Sequence, residues 1–363
     1  MTVNITRDLL NQMNRRGFYH PGRYIFALRR GVFTPRRGVL PMVLTFMVFH
    51  LSPGMILGQP KTHVLVVHGG AGVMEREKMS PERQQAYLYH LERALRTGDS
   101  VLRHGGTALD AVEATIVTLE ECPLFNAGRG AVFSWEGKNE LDASVMDGTT
   151  GHAGAVAGVT TIRNPIRAAR AVMEKSPHVL LSGKGACAFA REQGLEMVSN
   201  RWFFTRERHD QLKSLKKRLR ERSQNDNHGT VGCVALDQYG HLCAGTSTGG
   251  MTGKRFGRIG DTPLIGAGTW AGDATCGVSC TGHGEYFIRG NIAREVSARM
   301  EYLGESLEVA STRVLDKLTR AGGTGGFIAL DARGNLVMPF NTSGMFRGYI
   351  RSNGEKETAI FAP

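Results

Sequence analysis

A threonine that directly follows a glycine is the residue of this chain best placed to act as a nucleophile. Thr230 lies in the run His228-Gly-Thr-Val-Gly232 and opens an alternating apolar stretch, with a polar, basic segment just upstream. If the Gly229–Thr230 peptide bond were cut, the new α-amino group would lie beside the threonine hydroxyl and act as its general base. The alternative is a β-branched residue that merely starts a strand. The pentapeptide alone favours that alternative, so the surrounding residues carry the argument.

Polar groups that suit an amidohydrolase follow Thr230. The run Thr246-Ser-Thr-Gly-Gly250 closes the next predicted strand and brings hydroxyls beside the nucleophile. Arg258 and Asp261 match the carboxylate and ammonium of a free α-amino acid, although an isolated Arg-x-x-Asp is more often a surface salt bridge. The run Ser279-Cys-Thr-Gly-His-Gly-Glu285 ends a strand and starts a helix, where a hydroxyl and a free N–H can form an oxyanion hole. Each group is a weak signal alone, but together they predict a hydrolytic site.

The net charge of +12 belongs to two segments of the 363-residue chain. Residues 1–60 contribute +7 and residues 206–222 contribute +5, so the remainder is close to neutral. A basic leader and a basic linker, without a recognition motif, argue against a nucleic-acid partner. The six cysteines lack paired C-x-x-C spacing, and small buried thiols are expected rather than a metal site. The many glycines occur in short clusters and indicate turns and close backbone approaches.

Residues 1–60 are expected to be a leader outside the fold. Arg36-Arg37 precede an apolar stretch from Val39 to Leu51 and then Ser52-Pro-Gly54, an order that resembles a secretory signal. The apolar stretch is too short for a stable membrane span. It also lies far from Met1, which a misassigned start codon would explain. The localisation, cytoplasmic or exported, is left open.

The apolar periodicity and turn residues predict two packed sheets with helices outside. Helices are predicted over residues 80–104, 107–121, 164–175, 182–193, 285–302 and 306–320. Strands are predicted over residues 62–67, 131–135, 139–146, 153–162, 230–236, 241–248, 263–270, 277–281, 327–330 and 336–340, the last two as a final hairpin. Residues 200–229 are predicted to be a flexible basic linker.

The motifs together resemble the isoaspartyl peptidase/plant-type L-asparaginase family of N-terminal nucleophile hydrolases. They are His68-Gly-Gly-Ala-Gly72, Glu121-Cys-Pro-Leu-Phe-Asn-Ala-Gly128, Leu141-Asp-Ala-Ser-Val-Met-Asp-Gly148, Gly229-Thr-Val-Gly232, Thr246-Ser-Thr-Gly-Gly-Met-Thr252 and Arg258-Ile-Gly-Asp261. The resemblance implies an α+β fold, a four-layer αββα sandwich. It also implies autocleavage into an α piece (residues 61–229) and a β piece (residues 230–363). These would stay associated as an αβ heterodimer and assemble as (αβ)2.

The resemblance also assigns roles. Thr230 would be the nucleophile, Thr248 would tune it, and Thr281 with Gly282 would form the oxyanion hole. The substrate's α-carboxylate and α-amine would bind Arg258 and Asp261, with the Gly284 carbonyl helping to hold the amine and Asn126 supporting the site. No cofactor is expected for catalysis. A structural sodium ion would be held by the main-chain carbonyls of Leu119, Glu120, Cys122, Phe125, Ala127 and Arg129.

The implied reaction is hydrolysis of β-aspartyl dipeptides and L-asparagine through a β-aspartyl ester on Thr230. The first alternative is a glycosylasparaginase, although that sister group has aspartate where Gly229 stands here. The alternative of another class is an uncleaved, non-enzymatic homologue or a basic binding protein. His283 stands where family members commonly have a small residue, and its imidazole is expected to alter the pH dependence or the leaving-group preference.

Overall fold

The computed structural model describes residues 62–220 and 229–362. The helices are α1 (Pro81–Arg103), α2 (Ala108–Glu120), α3 (Pro165–Lys175), α4 (Gly183–Glu192), α5 (Arg206–Arg220), α6 (Gly284–Gly290), α7 (Ile292–Leu303) and α8 (Leu307–Arg320). The strands are β1 (Val64–Gly72), β2 (Leu141–Asp147), β3 (Ala153–Val159), β4 (Leu180–Ser182), β5 (Val231–Leu236), β6 (Leu242–Thr248), β7 (Thr269–Ala271), β8 (Cys276–Gly282), β9 (Gly325–Asp331), β10 (Leu336–Val337), β11 (Gly344–Arg351) and β12 (Lys356–Phe361).

Three buried apolar clusters define four layers. One cluster packs helices such as α1 and α2 against the larger sheet, and includes Leu91, Ile116 and Cys233. A second lies between the two sheets and includes Val234 and Ile328. A third packs α7 and α8 against the smaller sheet. Because alternate residues of a strand face opposite sides, Cys233 and Val234 contribute to different clusters. The predicted α+β fold, an αββα sandwich, is therefore confirmed.

The larger sheet brings together strands from both sides of the Gly229–Thr230 bond. Its order is β12-β11-β1-β5-β6-β2-β3-β4, and the smaller sheet has the order β10-β9-β8-β7. Strand β5, which starts at the residue after Thr230, pairs antiparallel with both β1 and β6. The start of β5 therefore lies at the centre of the fold, where main-chain positions are fixed on both sides.

Local sequence signals explain several helix ends. The Thr107 hydroxyl accepts a hydrogen bond from the backbone N–H of Asp110, whose carboxylate accepts one from the Thr107 N–H, as the capping box predicts. Helix α3 begins at Pro165, which the fixed φ of proline favours at a first helical position. The helix predicted over residues 285–302 is two helices, because Asn291 adopts a left-handed conformation with φ 49° and interrupts it.

The prediction of a flexible linker over residues 200–229 is wrong for its first part. Helix α5 occupies much of it, and its apolar residues Leu212 and Leu215 are buried. Leu215 packs against the backbone at Gly253, and the Lys216 ammonium lies 4.9 Å from the centroid of the Trp135 ring. The composition is strongly basic, but two leucines three residues apart lie on one face of the helix, and this face packs against the rest of the fold.

Three strand predictions also differ from the structure. Residues 131–135 form no strand, because Phe133 and Trp135 exchange main-chain hydrogen bonds with the loop at Gly253 and Lys254 instead. Most of 263–270 is a turn, and only its end belongs to β7. The hairpin over 327–340 is not the last, because β11 and β12 follow and complete the larger sheet.

Other predictions fall on residues whose structure is not described, namely the leader over 1–60 and residues 221–228 of the linker. Among the described residues, none of the helices is both long and apolar enough to cross a membrane.

Candidate active site

The carbonyl of Gly229 and the hydroxyl of Thr230 belong to one hydrogen-bonded group. The Gly229 oxygen accepts hydrogen bonds from the Asn126 side-chain amide at 2.6 Å and from the Thr248 hydroxyl at 3.1 Å. The Thr230 hydroxyl donates to the Thr248 oxygen at 3.2 Å. Both threonines are buried. The peptide bond before Thr230 thus has the Thr230 hydroxyl beside it and two hydrogen-bond donors, from Asn126 and Thr248, on its carbonyl oxygen.

Strand pairing and one loop determine these positions. Val231 pairs with Ser247, so Thr230 and Thr248 lie at the same end of neighbouring strands. Asn126 lies in the loop that follows α2, and both the oxygen and the nitrogen of its side-chain amide are hydrogen-bonded. Its amide oxygen accepts a hydrogen bond from the Val132 N–H, and its nitrogen also donates to the Gly250 carbonyl.

The backbone of Thr230 is held by His68. The His68 Nδ1 lies 3.0 Å from the Thr230 carbonyl oxygen, and its Nε2 lies 2.9 Å from the Ser279 hydroxyl. Because a carbonyl can only accept, Nδ1 carries the proton and Nε2 accepts from Ser279. Burial lowers the pKa of His68 to about 3, so the ring is neutral at physiological pH. A neutral imidazole on the larger sheet therefore connects the Thr230 carbonyl to Ser279 on the smaller sheet.

The predicted oxyanion pair lies at the end of β8. The Thr281 oxygen accepts a hydrogen bond from the Ala71 N–H at 3.2 Å, which leaves the hydrogen of its own hydroxyl available. Gly282 lines the cleft beside Thr230. The neighbouring Gly70 lies against the bond before Thr230, since a Cβ added to it would be 3.3 Å from the Thr230 nitrogen.

The predicted amino-acid clamp is assembled in the same cleft. Arg258 and Asp261 line the cleft together with Thr230, Thr248 and Gly282. Asp261 is buried, and its Oδ2 has no hydrogen-bond partner among the described residues. Burial raises the pKa of Asp261 to about 7. A buried carboxylate oxygen without a donor is unfavourable unless a cation binds there.

Arg258 already holds a carboxylate that the sequence did not single out. Its Nε and Nη2 donate to the two oxygens of Glu285 at 2.9 and 2.8 Å, a forked contact. The hydrogen bond from Arg258 holds the pKa of Glu285 well below its usual range. His283 Nε2 lies 3.4 Å from Glu285. A Cβ on Gly284 would lie 2.7 Å from Asp261 Oδ1, so a larger residue there would displace the Asp261 side chain.

The loop predicted to bind sodium is tightly curled. The carbonyl oxygens of Leu119 and Ala127 accept hydrogen bonds from the N–H groups of Cys122 and Gly130, whereas among the described residues no donor reaches those of Cys122, Phe125 and Arg129. A Cβ on Gly128 would lie 2.3 Å from the Glu120 carbonyl oxygen, and only glycine allows so close an approach. Carbonyl oxygens without donors are suitable ligands for a hard cation. The side chains offer no such ligand set, since no cluster of metal-binding side chains occurs in the described parts of the chain.

Three side chains near the predicted site residues were not among the predicted ones: those of His68, Ser279 and Glu285. The structure brings together Thr230, Thr248, Asn126 and the clamp, and Thr281 lies behind the cleft. In the sequence, His68 stands at the start of a glycine-rich motif and Ser279 within a longer run, and neither position by itself indicates a contact with Thr230. The position of Glu285 in the first turn of a helix, right after the predicted oxyanion hole, was the available signal for its role.

Comparisons with known proteins define the class. A family model described as asparaginase matches residues 61–360. The isoaspartyl peptidase of Escherichia coli strain K12 is 48% identical over 307 residues, which cover 82% of this chain and 96% of that protein. The isoaspartyl peptidase/L-asparaginase of Rattus norvegicus is 39% identical over 300 residues, covering 82% and 88%. The plant-type L-asparaginase of Pyrobaculum calidifontis is 40% identical over 292 residues, covering 78% and 96%.

The fold and the comparisons thus define an amide-hydrolysing enzyme class. The chain belongs to the asparaginase family, in the branch that contains isoaspartyl peptidases and plant-type L-asparaginases. The resemblance drawn from the motifs is confirmed.

Proposed function

We propose that this protein is an isoaspartyl peptidase/L-asparaginase that first cleaves its own chain before Thr230. The observation that carries the proposal is the group at that bond. The nucleophilic hydroxyl of Thr230 donates to Thr248, and Thr248 donates to the carbonyl oxygen of Gly229. Relatives in the family bear the names isoaspartyl peptidase and L-asparaginase.

In the cleavage step, the Thr230 oxygen attacks the carbonyl carbon of Gly229 while its proton passes to the amide nitrogen. The C–N bond breaks, and an ester between Gly229 and the Thr230 oxygen forms. Asn126 and Thr248 donate to the oxygen that gains negative charge. Water then hydrolyses the ester, which leaves a carboxylate on Gly229 and a free amine on Thr230.

In turnover, the freed amine takes the proton of the Thr230 hydroxyl. The oxygen attacks the β-carbonyl of the substrate, a β-aspartyl ester forms, and the leaving amine takes up the proton. Water then releases aspartate. The Thr281 hydroxyl and the Gly282 N–H would donate hydrogen bonds to the oxyanion. The Ala71 N–H donates to the Thr281 oxygen and so leaves the hydroxyl hydrogen of Thr281 available for this role.

The clamp accounts for the substrate class. The ammonium of the substrate would bind the partnerless oxygen of Asp261, with the Gly284 carbonyl beside it, and the α-carboxylate would bind Arg258. Both α-groups are free in L-asparagine and in β-aspartyl dipeptides, whereas ordinary α-linked peptides lack this combination. No cofactor takes part in these steps. The loop from Leu119 to Arg129 would hold a structural sodium ion through its carbonyls and so stabilise the backbone around Asn126.

The maturation arm of the test is a denaturing gel. The purified chain should convert into two fragments, with a new N-terminus at Thr230, and Thr230→Ala should remain a single band without activity. Arg258→Ala should self-cleave and lose affinity for substrate. A wild-type protein that stays uncleaved would exclude the hydrolase hypothesis and leave the non-enzymatic alternative.

The substrate arm compares β-aspartyl-leucine, L-asparagine and a glycoasparagine with the cleaved enzyme. A preference for the glycoasparagine would identify a glycosylasparaginase instead. Size-exclusion chromatography of the cleaved protein would test the expected (αβ)2 assembly.

A further inference from the structure

We infer that a second cavity beside the cleaved bond binds the leaving residue of β-aspartyl dipeptides, with Arg208 binding its terminal carboxylate. The inference rests on the proposed function and names a subsite that the clamp residues do not include. The cavity measures about 370 Å³, which falls in the usual range for small-molecule sites.

The position of the cavity relates it to the reaction. The cleft that contains Arg258 and Asp261 is called the clamp cleft here. Gly229 lines both this cleft and the cavity, and it is the one residue that the two linings share. In the uncleaved chain the clamp cleft has a volume of only about 10 Å³, roughly one water molecule. Cleavage separates Gly229 from Thr230 and so removes the covalent barrier between the two spaces. The substrate amide must lie at the Thr230 hydroxyl, and with its aspartyl half in the clamp the leaving residue extends into the cavity.

The walls suit an amino-acid residue with an apolar side chain. Val73, Met74, Met79, Leu124 and Phe346 contribute apolar surface. Asn126 lies at the end nearest the cleaved bond, where its amide is free to bind substrate once Gly229 has left. Apolar walls with a few placed polar groups are typical of specific small-molecule sites.

The charges in the cavity favour an anion. Lys78 pairs with Glu75 at 2.8 Å, and Arg83 pairs with Glu207 at 2.5 Å. Arg208 contacts no carboxylate in the described parts of the chain. The lining therefore carries three cations and two anions, with the excess charge on Arg208.

The geometry of Arg208 leaves donors for a ligand. Its Nε donates to the Gly130 carbonyl at 2.9 Å, and its Nη2 donates to the Leu124 carbonyl at 3.0 Å. Its Nη1 donates to the Gln211 amide oxygen at 3.2 Å. These bonds use three of the five N–H groups of a guanidinium. Burial lowers the pKa of Arg208, which reflects a cation that has lost water without gaining a counter-ion. A terminal carboxylate would supply that counter-ion.

The test uses three substrates on the cleaved enzyme: β-aspartyl-leucine, its C-terminal amide and L-asparagine. The wild type should hydrolyse the free acid with a kcat/KM about tenfold above that of the amide, since the charged hydrogen bond is present only with the acid. Arg208→Gln should lower the ratio of kcat/KM for β-aspartyl-leucine to that for L-asparagine by about tenfold. Arg208→Lys should restore part of it.

Two further variants keep the test decisive. Val73→Trp fills the cavity from an exposed position, so it should fold even if Arg208→Gln does not, and should lower the same ratio. Arg206→Gln is the matched control, because Arg206 lies on the same helix, pairs with Asp210 and lines no part of the cavity.

The outcomes separate the two proposals. Equal kcat/KM for the acid and the amide, or an unchanged ratio in both Arg208→Gln and Val73→Trp, would overturn the subsite while leaving the hydrolase intact. A cleaved wild type that hydrolyses none of the three substrates would instead overturn the proposed function.

Discussion

Asn126 donates a hydrogen bond from its side-chain amide to the carbonyl oxygen of Gly229 at 2.6 Å. The donor approaches the one atom that gains negative charge when the Thr230 hydroxyl attacks. Because the Asn126 oxygen accepts from Val132 and its nitrogen also donates to Gly250, the amide cannot flip without losing all three contacts. In the proposed cleavage, the donor to the scissile carbonyl is therefore a loop residue about a hundred positions upstream of the Gly229–Thr230 bond.

Asn126→Asp should slow autocleavage about a hundredfold, because it replaces the donor at the scissile carbonyl with an acceptor. The rate is measured from band conversion on a denaturing gel. Asn200→Asp is the matched control, since the Asn200 amide also donates to two carbonyls, those of Asn139 and Thr160, away from the site. The control should lower the melting temperature and leave the cleavage rate near that of wild type. Comparable cleavage rates in the two variants would contradict the role of Asn126.

Binding of L-aspartate to the cleaved enzyme should weaken as the pH falls below about 7. Burial raises the pKa of Asp261 to about 7, so below that pH the group is neutral and must release a proton to pair with the ligand's ammonium. The dissociation constant should rise by about tenfold per pH unit in that range. Calorimetry in buffers of different ionisation enthalpy measures both the affinity and the released proton. Asp261→Asn should bind weakly with no such pH dependence, and a pH-independent wild type would refute the assignment.

Glu120→Gln should stabilise the protein relative to wild type as the pH rises. Burial raises the pKa of Glu120 from 4.5 to about 8, and its Oε1 accepts from the Ser247 hydroxyl and the Ile166 N–H. The folded wild type therefore keeps a proton that the unfolded chain loses, and the stability this provides is full below pH 4.5 and is lost as the pH rises to about 8. The variant has no such loss.

The difference in unfolding free energy between Glu120→Gln and wild type should grow by roughly 3 kcal/mol between pH 5 and pH 8.5, measured by denaturant unfolding. Glu121→Gln is the control. Its carboxylate is paired with Arg163, which holds its pKa below the usual value, so removing it should give no gain at high pH. Parallel pH profiles for wild type and Glu120→Gln would show that Glu120 is ionised when folded.

Glu285→Gln should lower the KM for L-asparagine several-fold with little change in kcat. The Glu285 carboxylate occupies the fork of Arg258 and, in the proposed clamp, would compete with the α-carboxylate of the substrate for it. A glutamine amide offers one acceptor oxygen instead of two and carries no charge, so the competition weakens. Steady-state kinetics decide this, and a raised KM would mean that Glu285 instead holds Arg258 in its binding orientation.

The sequence by itself determined the class of chemistry and much of the scaffold. The residues around Thr230 and the predicted clamp pair, Arg258 and Asp261, occur in short motifs. Such motifs can be recognised from the sequence because each one lies at the end or the start of a single strand or helix. Helix ends such as the Thr107 capping box were predictable for the same reason, since capping is decided within four residues.

Only the tertiary structure decided which distant groups meet. Strand order brings the ring of His68 to the Thr230 carbonyl and to Ser279 on the other sheet, a contact that no local pattern encodes. The basic composition of the segment around Arg208 predicts a linker, yet two buried leucines pack it as a helix, and Arg208 lines the same cavity as Gly229. The amino-acid composition of a segment indicates only its average polarity. Which of its side chains become buried depends on the surface against which the segment packs. That surface, and the cavity it encloses, exist only in the folded chain.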